Sequence, residues 1–140
     1  MSHPLPVEQL RAAYAEWSDT HAASPDAFLA LMSEEVALGS VIDRYTGDAM
    51  AERFHSLDGA RAYLSAITDN WEMLEHETEQ TVAEGDTIVW IGRCRWRNRA
   101  SGAEVATPLV DIWRFDERGK AVSFYEIYDS LAFAQATALR

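Results

Sequence analysis

Cysteine is nearly absent from this sequence, which has only Cys94 among its 140 residues. A single cysteine excludes an internal disulfide and any metal site built from several cysteines. Long apolar runs are absent too, and none approaches the roughly 20 residues that a membrane helix needs. Residues 1–6 lack the charged start and apolar stretch of a signal peptide, so we expect a cytoplasmic protein.

Basic residues are also scarce, with 12 Lys and Arg against 23 Asp and Glu, for a net charge of −11. An acidic chain repels phosphate backbones and anionic membrane surfaces, so we expect no nucleic-acid partner and no membrane partner. No glycine-rich phosphate loop or dinucleotide motif is present. We therefore expect no cofactor of that kind.

Aromatic residues are plentiful: five Trp, five Tyr and five Phe can line a cavity as well as fill a core. The length fits one domain with a substantial core, and we assign residues 1–140 to a single domain. A small, largely apolar molecule is the expected ligand of such a cavity.

Hydrophobic periodicity predicts helices first and strands afterwards. Leu10, Tyr14 and Trp17 form a helical stripe within 7–20, a second helix begins at Pro25, and a third spans 58–70. A short extended piece (36–42) and a loop (43–55) lie between the last two, and whether the loop forms a lid is left open. Turn signals then separate four strands, at 72–83, 87–99, 104–115 and 121–130. This order predicts an α+β fold in which three N-terminal helices pack on the concave face of a curved, mainly antiparallel sheet.

Folding the first hairpin about Gly85 places Glu75 opposite Arg95 and Glu77 opposite Arg93. Opposite charges facing each other across two strands stabilise a sheet by a few tenths to about 1 kcal/mol. We interpret the run of arginines at 93, 95 and 97 in this way. The alternative interpretation is a basic patch that binds an anionic ligand.

The other face of the sheet carries two acidic residues. Folding the second hairpin about Ser101-Gly102 puts Asp111 opposite Gly92, and folding the third puts Glu126 opposite Asp111. Burial and mutual repulsion should raise the pKa of such a pair, so that one carboxyl donates a proton and the other accepts one. We predict that Asp111 and Glu126 are catalytic. The alternatives are simple ligand binding, or a structural Asp111 that hydrogen-bonds to Tyr14, Tyr128 or Trp17.

The same face carries apolar and aromatic side chains with scattered polar groups, which is typical of small-molecule pockets. His76 lies beside Cys94 there, and we interpret it as a hydrogen-bond donor or proton shuttle. No second pair of ligands at a suitable spacing supports a metal site. The predicted ligand-binding residues are Tyr14, Trp17, Tyr63, His76, Trp90, Cys94, Trp96, Trp113 and Tyr128.

The outer face of the predicted sheet is apolar at its centre, where it carries Val89, Ile91, Val110, Ile112, Tyr125 and Ile127. A contiguous apolar patch of this kind marks an interface. We therefore predict a homodimer through the outer face of the sheet. The alternative is a helix that folds back and covers the patch.

Two segments carry a family resemblance. Ala83-Glu84-Gly85-Asp86 precedes a strand, and the region after Thr107 has an aromatic-rich strand, a Gly119-Lys120 turn and a strand ending in Glu126-Ile127-Tyr128-Asp129. With this order of elements, the chain resembles the nuclear transport factor 2-like superfamily over nearly its whole length. That superfamily includes ketosteroid isomerases, limonene epoxide hydrolase and SnoaL-like polyketide cyclases, and the resemblance implies their cone-shaped fold.

The resemblance also suggests roles for individual residues. Asp111 matches the neutral aspartic acid of the isomerase oxyanion hole, whereas Ser40 falls near the position of the isomerase base. Glu126 matches one acidic residue of the epoxide hydrolase, whose arginine and other aspartate fall at Gly92 and Cys94. The function so implied is a cofactor-free isomerase, cyclase or hydratase that transfers protons in an apolar carbonyl-type substrate. The alternative is a non-catalytic ligand-binding or dimerisation domain of the same fold.

Overall fold

The computed structural model describes residues 4–41 and 54–138, and these contain four helices and six strands. The elements in chain order are α1 (Val7–Asp19), α2 (Asp26–Leu31), β1 (Met32–Ser40), β2 (Phe54–His55), α3 (Ser56–Asn70), β3 (Trp71–Glu84), β4 (Thr87–Asn98), β5 (Glu104–Phe115), β6 (Ala121–Ile127) and α4 (Ser130–Ala138). Most of the loop predicted at 43–55 lies outside the described residues. None of the helices in the described ranges is long and apolar enough to cross a membrane.

The strands form one curved sheet in the order β2-β1-β6-β5-β4-β3. All neighbouring pairs are antiparallel except β1 and β6, which run parallel. The predicted α+β class and mainly antiparallel sheet are thus confirmed. The parallel pair sets Ser40 beside Glu126, and so brings β1 to the edge of the acidic pair.

The first three helices bury one side each. The stripe predicted for α1 is confirmed, because Leu10, Tyr14 and Trp17 are all buried. Tyr63 and Leu64 are the corresponding buried residues of α3. Burying a large apolar side chain contributes about 1.5–3 kcal/mol, so these stripes hold the helices on the sheet. Tyr14 thereby reaches the centre of the core.

The C-terminal end departs from the predicted strand over 121–130. Strand β6 ends at Ile127, and α4 begins at Ser130, after two intervening residues. Asp129 explains the break, because its main-chain N–H donates to Thr107 Oγ1 and its Oδ1 accepts from the N–H of Ala132, as a helix cap does. Phe133 of α4 then packs on Trp71, with ring centroids 4.7 Å apart.

The predicted register is confirmed in the first and last hairpins and is wrong in the second, between β4 and β5. Glu75 pairs with Arg95 in the first hairpin, and Asp111 pairs with Glu126 in the last. Asp111 faces Trp90 instead of Gly92, a shift of two residues between β4 and β5. The cause is the turn: the Asn98 side chain accepts hydrogen bonds from the N–H groups of the next turn residues, so the turn is centred one residue earlier than predicted. An even shift leaves every side chain on its predicted face.

Ion pairs follow the arginine run on the outer face, as predicted. Arg95 contacts Glu75 at 3.6 Å and Glu104 at 2.7 Å. Arg93 contacts Glu79 at 2.7 Å, although Glu77 is its cross-strand partner. Arg97 continues the series with Glu72 and Glu104. Because these pairs are exposed, each contributes between about 0 and 1 kcal/mol.

The other half of the outer face is apolar. Val82 and Ile127 are 40% and 38% exposed, and Val89, Ile91, Val110, Ile112 and Tyr125 between them are partly buried. Helix α4 does not cover this half, because its Phe133 packs on the concave side of the sheet. The homodimer through this face stays a prediction.

Candidate functional site

A cavity lies between the helices and the concave face of the sheet, with about 490 Å³ of empty space counting the solvent at its mouth. It is predominantly apolar and aromatic, with two carboxyl groups among its walls. Its lining residues are Tyr14, Trp17, Phe28, Met32, Leu38, Tyr63, Leu64, Ile67, His76, Cys94, Trp96, Leu109, Asp111, Trp113, Phe124 and Glu126. The structure thus brings together both predicted catalytic residues and seven of the nine predicted ligand-binding residues.

Trp90 is one of the two predicted residues outside the lining. It is fully buried behind Tyr14, and the two rings stack with centroids 4.4 Å apart and planes 5° from parallel. Its Nε1 donates to Thr78 Oγ1 at 2.9 Å, and the Arg11 guanidinium lies 5.6 Å from its ring centre. Trp90 therefore supports Tyr14 from behind rather than facing a ligand.

Tyr128 is the other predicted residue outside the lining. Its hydroxyl lies 3.3 Å from Ser40 Oγ, and its ring packs edge-on against Phe133. The strand prediction over 121–130 placed it on the pocket face, but the ladder between β5 and β6 ends at Val110 and Ile127. Tyr128 instead joins the end of the sheet to α4.

Asp111 lies at the centre of the site, on β5, and only 3% of its surface is exposed. Its Oδ2 accepts a 2.5 Å hydrogen bond from the hydroxyl of Tyr14. Its other oxygen, Oδ1, is buried and has no hydrogen-bond partner among the described residues. One oxygen of the carboxyl is therefore fixed by the protein, and the other is buried without a hydrogen-bond partner among the described residues.

The indole of Trp113 sets the direction of these hydrogen bonds. Trp113 Nε1 can only donate, and it donates to the Tyr14 oxygen at 2.9 Å. The single Tyr14 proton then points to Oδ2 of Asp111. When Asp111 is protonated, its proton is accordingly carried by Oδ1, the oxygen that has no protein partner.

Glu126 is the cross-strand neighbour of Asp111 and is partly buried. The Tyr63 hydroxyl donates to Glu126 Oε2 at 3.1 Å. Burial raises the pKa of Glu126 to about 7, and the hydrogen bond from Tyr63 opposes the rise. Burial and then the charge of Glu126 hold the pKa of Asp111 well above its usual range, against the hydrogen bond from Tyr14.

The two carboxyls can therefore divide acid and base roles at neutral pH. Asp111, whose pKa is raised well above its usual range, can donate a proton from Oδ1, while Glu126 exchanges its proton near pH 7 and can accept one. Burial also raises the pKa of Tyr14 and of Tyr63, so both hydroxyls stay protonated and act as donors.

His76 and Cys94 face each other across β3 and β4 at another part of the wall. Burial lowers the pKa of His76 to about 4 and raises that of Cys94 to about 12, so both are neutral at pH 7. A neutral buried thiol is a poor nucleophile. In residues 4–41 and 54–138, no group of three or more His, Cys, Asp and Glu could hold a metal ion.

The prediction omitted seven apolar lining residues: Phe28, Met32, Leu38, Leu64, Ile67, Leu109 and Phe124. The helical periodicity of the sequence indicates Phe28 on α2 and Leu64 and Ile67 on α3. Leu38 could not be inferred, because the sequence does not show that β1 joins β6 in parallel.

The sequence of this chain matches one known protein family. The SnoaL-like domain family matches residues 10–124, which is most of the chain. The protein belongs to the SnoaL-like domain family. No curated protein matches this SnoaL-like chain significantly.

Solved structures with the same fold are numerous but distant in sequence. An NTF2-like protein from Burkholderia thailandensis is 23% identical, with a TM-score of 0.76 over 96% of this chain and 98% of its own. A candidate SnoaL-like polyketide cyclase from Mesorhizobium loti is 14% identical, with a TM-score of 0.67 over 86% and 96%. A Catenulispora acidiphila protein with a ketosteroid isomerase-like fold, solved with trimethylamine, is 12% identical, with a TM-score of 0.73 over 98% and 96%. At these identities the likeness shows the fold alone.

Proposed function

We propose that this SnoaL-like protein is a cofactor-independent enzyme that transfers protons within a small, largely apolar molecule bearing a carbonyl-type oxygen. Isomerisation, cyclisation and hydration are the reaction types that such proton transfer serves. The observation that carries the proposal is the buried, unpartnered Oδ1 of Asp111 beside Glu126 in an aromatic cavity.

The proposed mechanism uses each carboxyl once. Asp111 donates a hydrogen bond from Oδ1 to the substrate oxygen, and Glu126 as carboxylate takes a proton from the carbon next to the carbonyl. The C–H bond breaks and its electron pair moves into an enolate, whose oxygen Asp111 stabilises. Glu126 then returns the proton to another carbon of the conjugated enolate. In a cyclisation, the enolate carbon instead attacks a second carbonyl of the same molecule, whose C=O π bond opens to an alkoxide, and Glu126 returns the proton to that alkoxide.

Proton exchange on a simple ketone tests this mechanism without knowledge of the natural substrate. The protein is incubated with 2-tetralone in D₂O, and deuterium incorporation beside the carbonyl is followed by NMR. We expect Asp111→Asn and Glu126→Gln each to lower the protein-catalysed rate about 10²–10⁴-fold while the fold stays intact. Asp69→Asn, an exposed change at the end of α3, is the control and should leave the rate unchanged. Full exchange by both site variants would contradict the proposal.

A second candidate function is ligand binding without catalysis. It is favoured by Ser40, a residue that cannot act as a base, at the position that resembles that of the isomerase base. The Catenulispora acidiphila neighbour, solved with trimethylamine, shows a small molecule on this fold. This candidate predicts a ligand that co-purifies unchanged and still binds tightly to the Asp111→Asn variant. Release of a chemically altered molecule after incubation would contradict it.

We propose that the other partner is a second copy of the chain. We propose no nucleic-acid partner and no membrane partner. The apolar half of the outer face supports it, because Ile127 and Val82 are exposed there beside partly buried aliphatic residues. The ion pairs of the polar half limit the apolar contact to one end of the sheet. If the cavity binds nothing, this face makes the chain a dimerisation domain, and then no small molecule should raise its melting temperature.

A further inference from the structure

His76 is a buried side chain whose ring nitrogens have no hydrogen-bond partner among the described residues. It lies on β3 with 8% of its surface exposed and lines the cavity. Its main-chain oxygen accepts a hydrogen bond from Ser18 Oγ, but neither ring nitrogen has a hydrogen-bond partner in the part of the chain that the structure describes. His21 differs, because its Nδ1 lies 3.0 Å from the main-chain oxygen of Met73 on the same strand.

An unpaired imidazole contributes little to this fold. A neutral histidine ring carries one donor and one acceptor, and the described residues offer a partner to neither. The ring packs on Tyr14 with centroids 5.6 Å apart and planes 27° from parallel, a contact that a phenylalanine could make as well. The polar atoms of His76 are therefore of use to a molecule that enters the cavity.

The position of His76 relates it to Asp111 through a single tyrosine. The ring of Tyr14 stacks against His76, and the hydroxyl of the same side chain donates to Asp111. Asp111 thus lies at the hydroxyl of Tyr14, and His76 lies against its ring. A molecule bound beside that tyrosine would have both polar groups near it.

The charge of the lining restricts the ligand further. No Lys or Arg is among the described residues that line the cavity, whereas two carboxyls are. A carboxylate or phosphate would be buried without a compensating cation, which is strongly unfavourable. The ligand should therefore carry no negative charge in its bound form.

We propose that His76 forms a second polar subsite, and that the ligand is a largely apolar molecule that has two oxygen substituents and carries no negative charge. One substituent, a carbonyl, accepts from Asp111, and the other, a hydroxyl, exchanges hydrogen bonds with His76. This rests on the proposed function only in placing the carbonyl at Asp111.

The test compares 1-tetralone with its 5-, 6- and 7-hydroxy isomers, by calorimetric titration of the full chain. We expect at least one hydroxy isomer to bind wild type about tenfold more tightly than 1-tetralone, the gain from one good hydrogen bond. His76→Phe should abolish that difference and bring the ratio of the two affinities close to one, because phenylalanine keeps the contact with Tyr14 but offers no hydrogen bond. The variant should melt at the wild-type temperature or above it, since no hydrogen bond is lost.

Two results would overturn the inference. One is a preference for the hydroxy isomer that survives in His76→Phe, and the other is no preference in wild type for any isomer. ¹⁵N NMR of the His76 ring gives a direct readout, because a bound hydroxyl must move its nitrogen shifts even if no reaction occurs. Failure of the proposed enzyme function would appear separately, as normal binding of the hydroxy isomer without deuterium exchange on 2-tetralone.

Discussion

The hydroxyl of Tyr14 donates a 2.5 Å hydrogen bond to Oδ2 of Asp111, although 97 residues separate the two in the chain. The bond favours the charged carboxylate, yet burial and the neighbouring Glu126 outweigh it and keep the pKa of Asp111 raised. A protonated, partly fixed carboxyl inside an aromatic cavity is the feature that most distinguishes this site from an ordinary core.

Removing the tyrosine hydroxyls should shift the two carboxyls separately. Each tyrosine hydrogen bond lowers the pKa of its own partner, Tyr14 for Asp111 and Tyr63 for Glu126. In Tyr63→Phe we expect Glu126 to titrate above its wild-type value of about 7, and in Tyr14→Phe we expect Asp111 to titrate higher than in wild type. Carbon-detected NMR of the side-chain carboxyls measures both. Tyr125→Phe, on the outer face, should move neither, and ordinary carboxyl pKa values in wild type would refute the acid–base assignment.

Glu126 should make the protein less stable as the pH rises. Its pKa is 4.5 ordinarily and about 7 in the fold, so the folded state holds this proton more tightly than the unfolded state. The resulting stabilisation is full below about pH 4.5 and is lost as the pH rises to 7, by at most about 3 kcal/mol. The free energy of unfolding of wild type, minus that of Glu126→Gln, should therefore fall across this window in urea titrations.

His76 should change the stability of the protein with pH in the direction opposite to Glu126. Its pKa falls from 6.5 to about 4 on folding, so its contribution to stability is present above pH 6.5 and is lost as the pH falls toward 4. The difference between wild type and His76→Phe should accordingly rise with pH where the Glu126 difference falls. If both differences in unfolding free energy change with pH in the same direction, one of the two side chains is not buried as described.

Gly92 should not tolerate a side chain. A Cβ placed there would lie 2.1 Å from the main-chain oxygen of Glu77, which is part of β3 and cannot move independently of the strand. We expect Gly92→Ala to lower the free energy of unfolding by at least about 2 kcal/mol in urea. Ala106→Ser, at an exposed position of β5, should change it by less than about 0.5 kcal/mol. Equal stability of the two variants would mean that β3 and β4 are farther apart at Gly92.

A charge on the apolar half of the outer face should dissociate the proposed homodimer. Ile112 lies at the centre of that half, between Val89 on β4 and Tyr125 on β6. We expect Ile112→Glu to be monomeric in sedimentation experiments at micromolar concentration, because an unpaired charge would be buried at the interface. Ala106→Glu, in the polar half of the same strand, should sediment as wild type does. A wild-type monomer would refute the dimer.

The sequence predicted most of this arrangement because alternation along strands and spacing along helices fix which face a residue occupies. Asp111 and Glu126 were paired correctly, since the Gly119 turn determines their register. The β4–β5 register was wrong because the Asn98 side chain shifts the turn, a local hydrogen-bond choice that periodicity does not encode. The position of Trp90 behind Tyr14 was missed because face alone does not tell how deep a side chain lies. The assignment of residues 1–140 to one domain and the cytoplasmic location stay predictions.

The four polar groups of the site come from two different layers of the fold. The carboxyls of Asp111 and Glu126 come from a single hairpin, whereas the hydroxyls that hold them come from helices α1 and α3. A molecule bound among these four groups would fasten the helical layer to the sheet. Ligand binding should then slow amide hydrogen exchange most in α1 and α3, whose undocking would release the ligand. It should slow exchange least in the β5–β6 hairpin, because both of its strands are paired on each side.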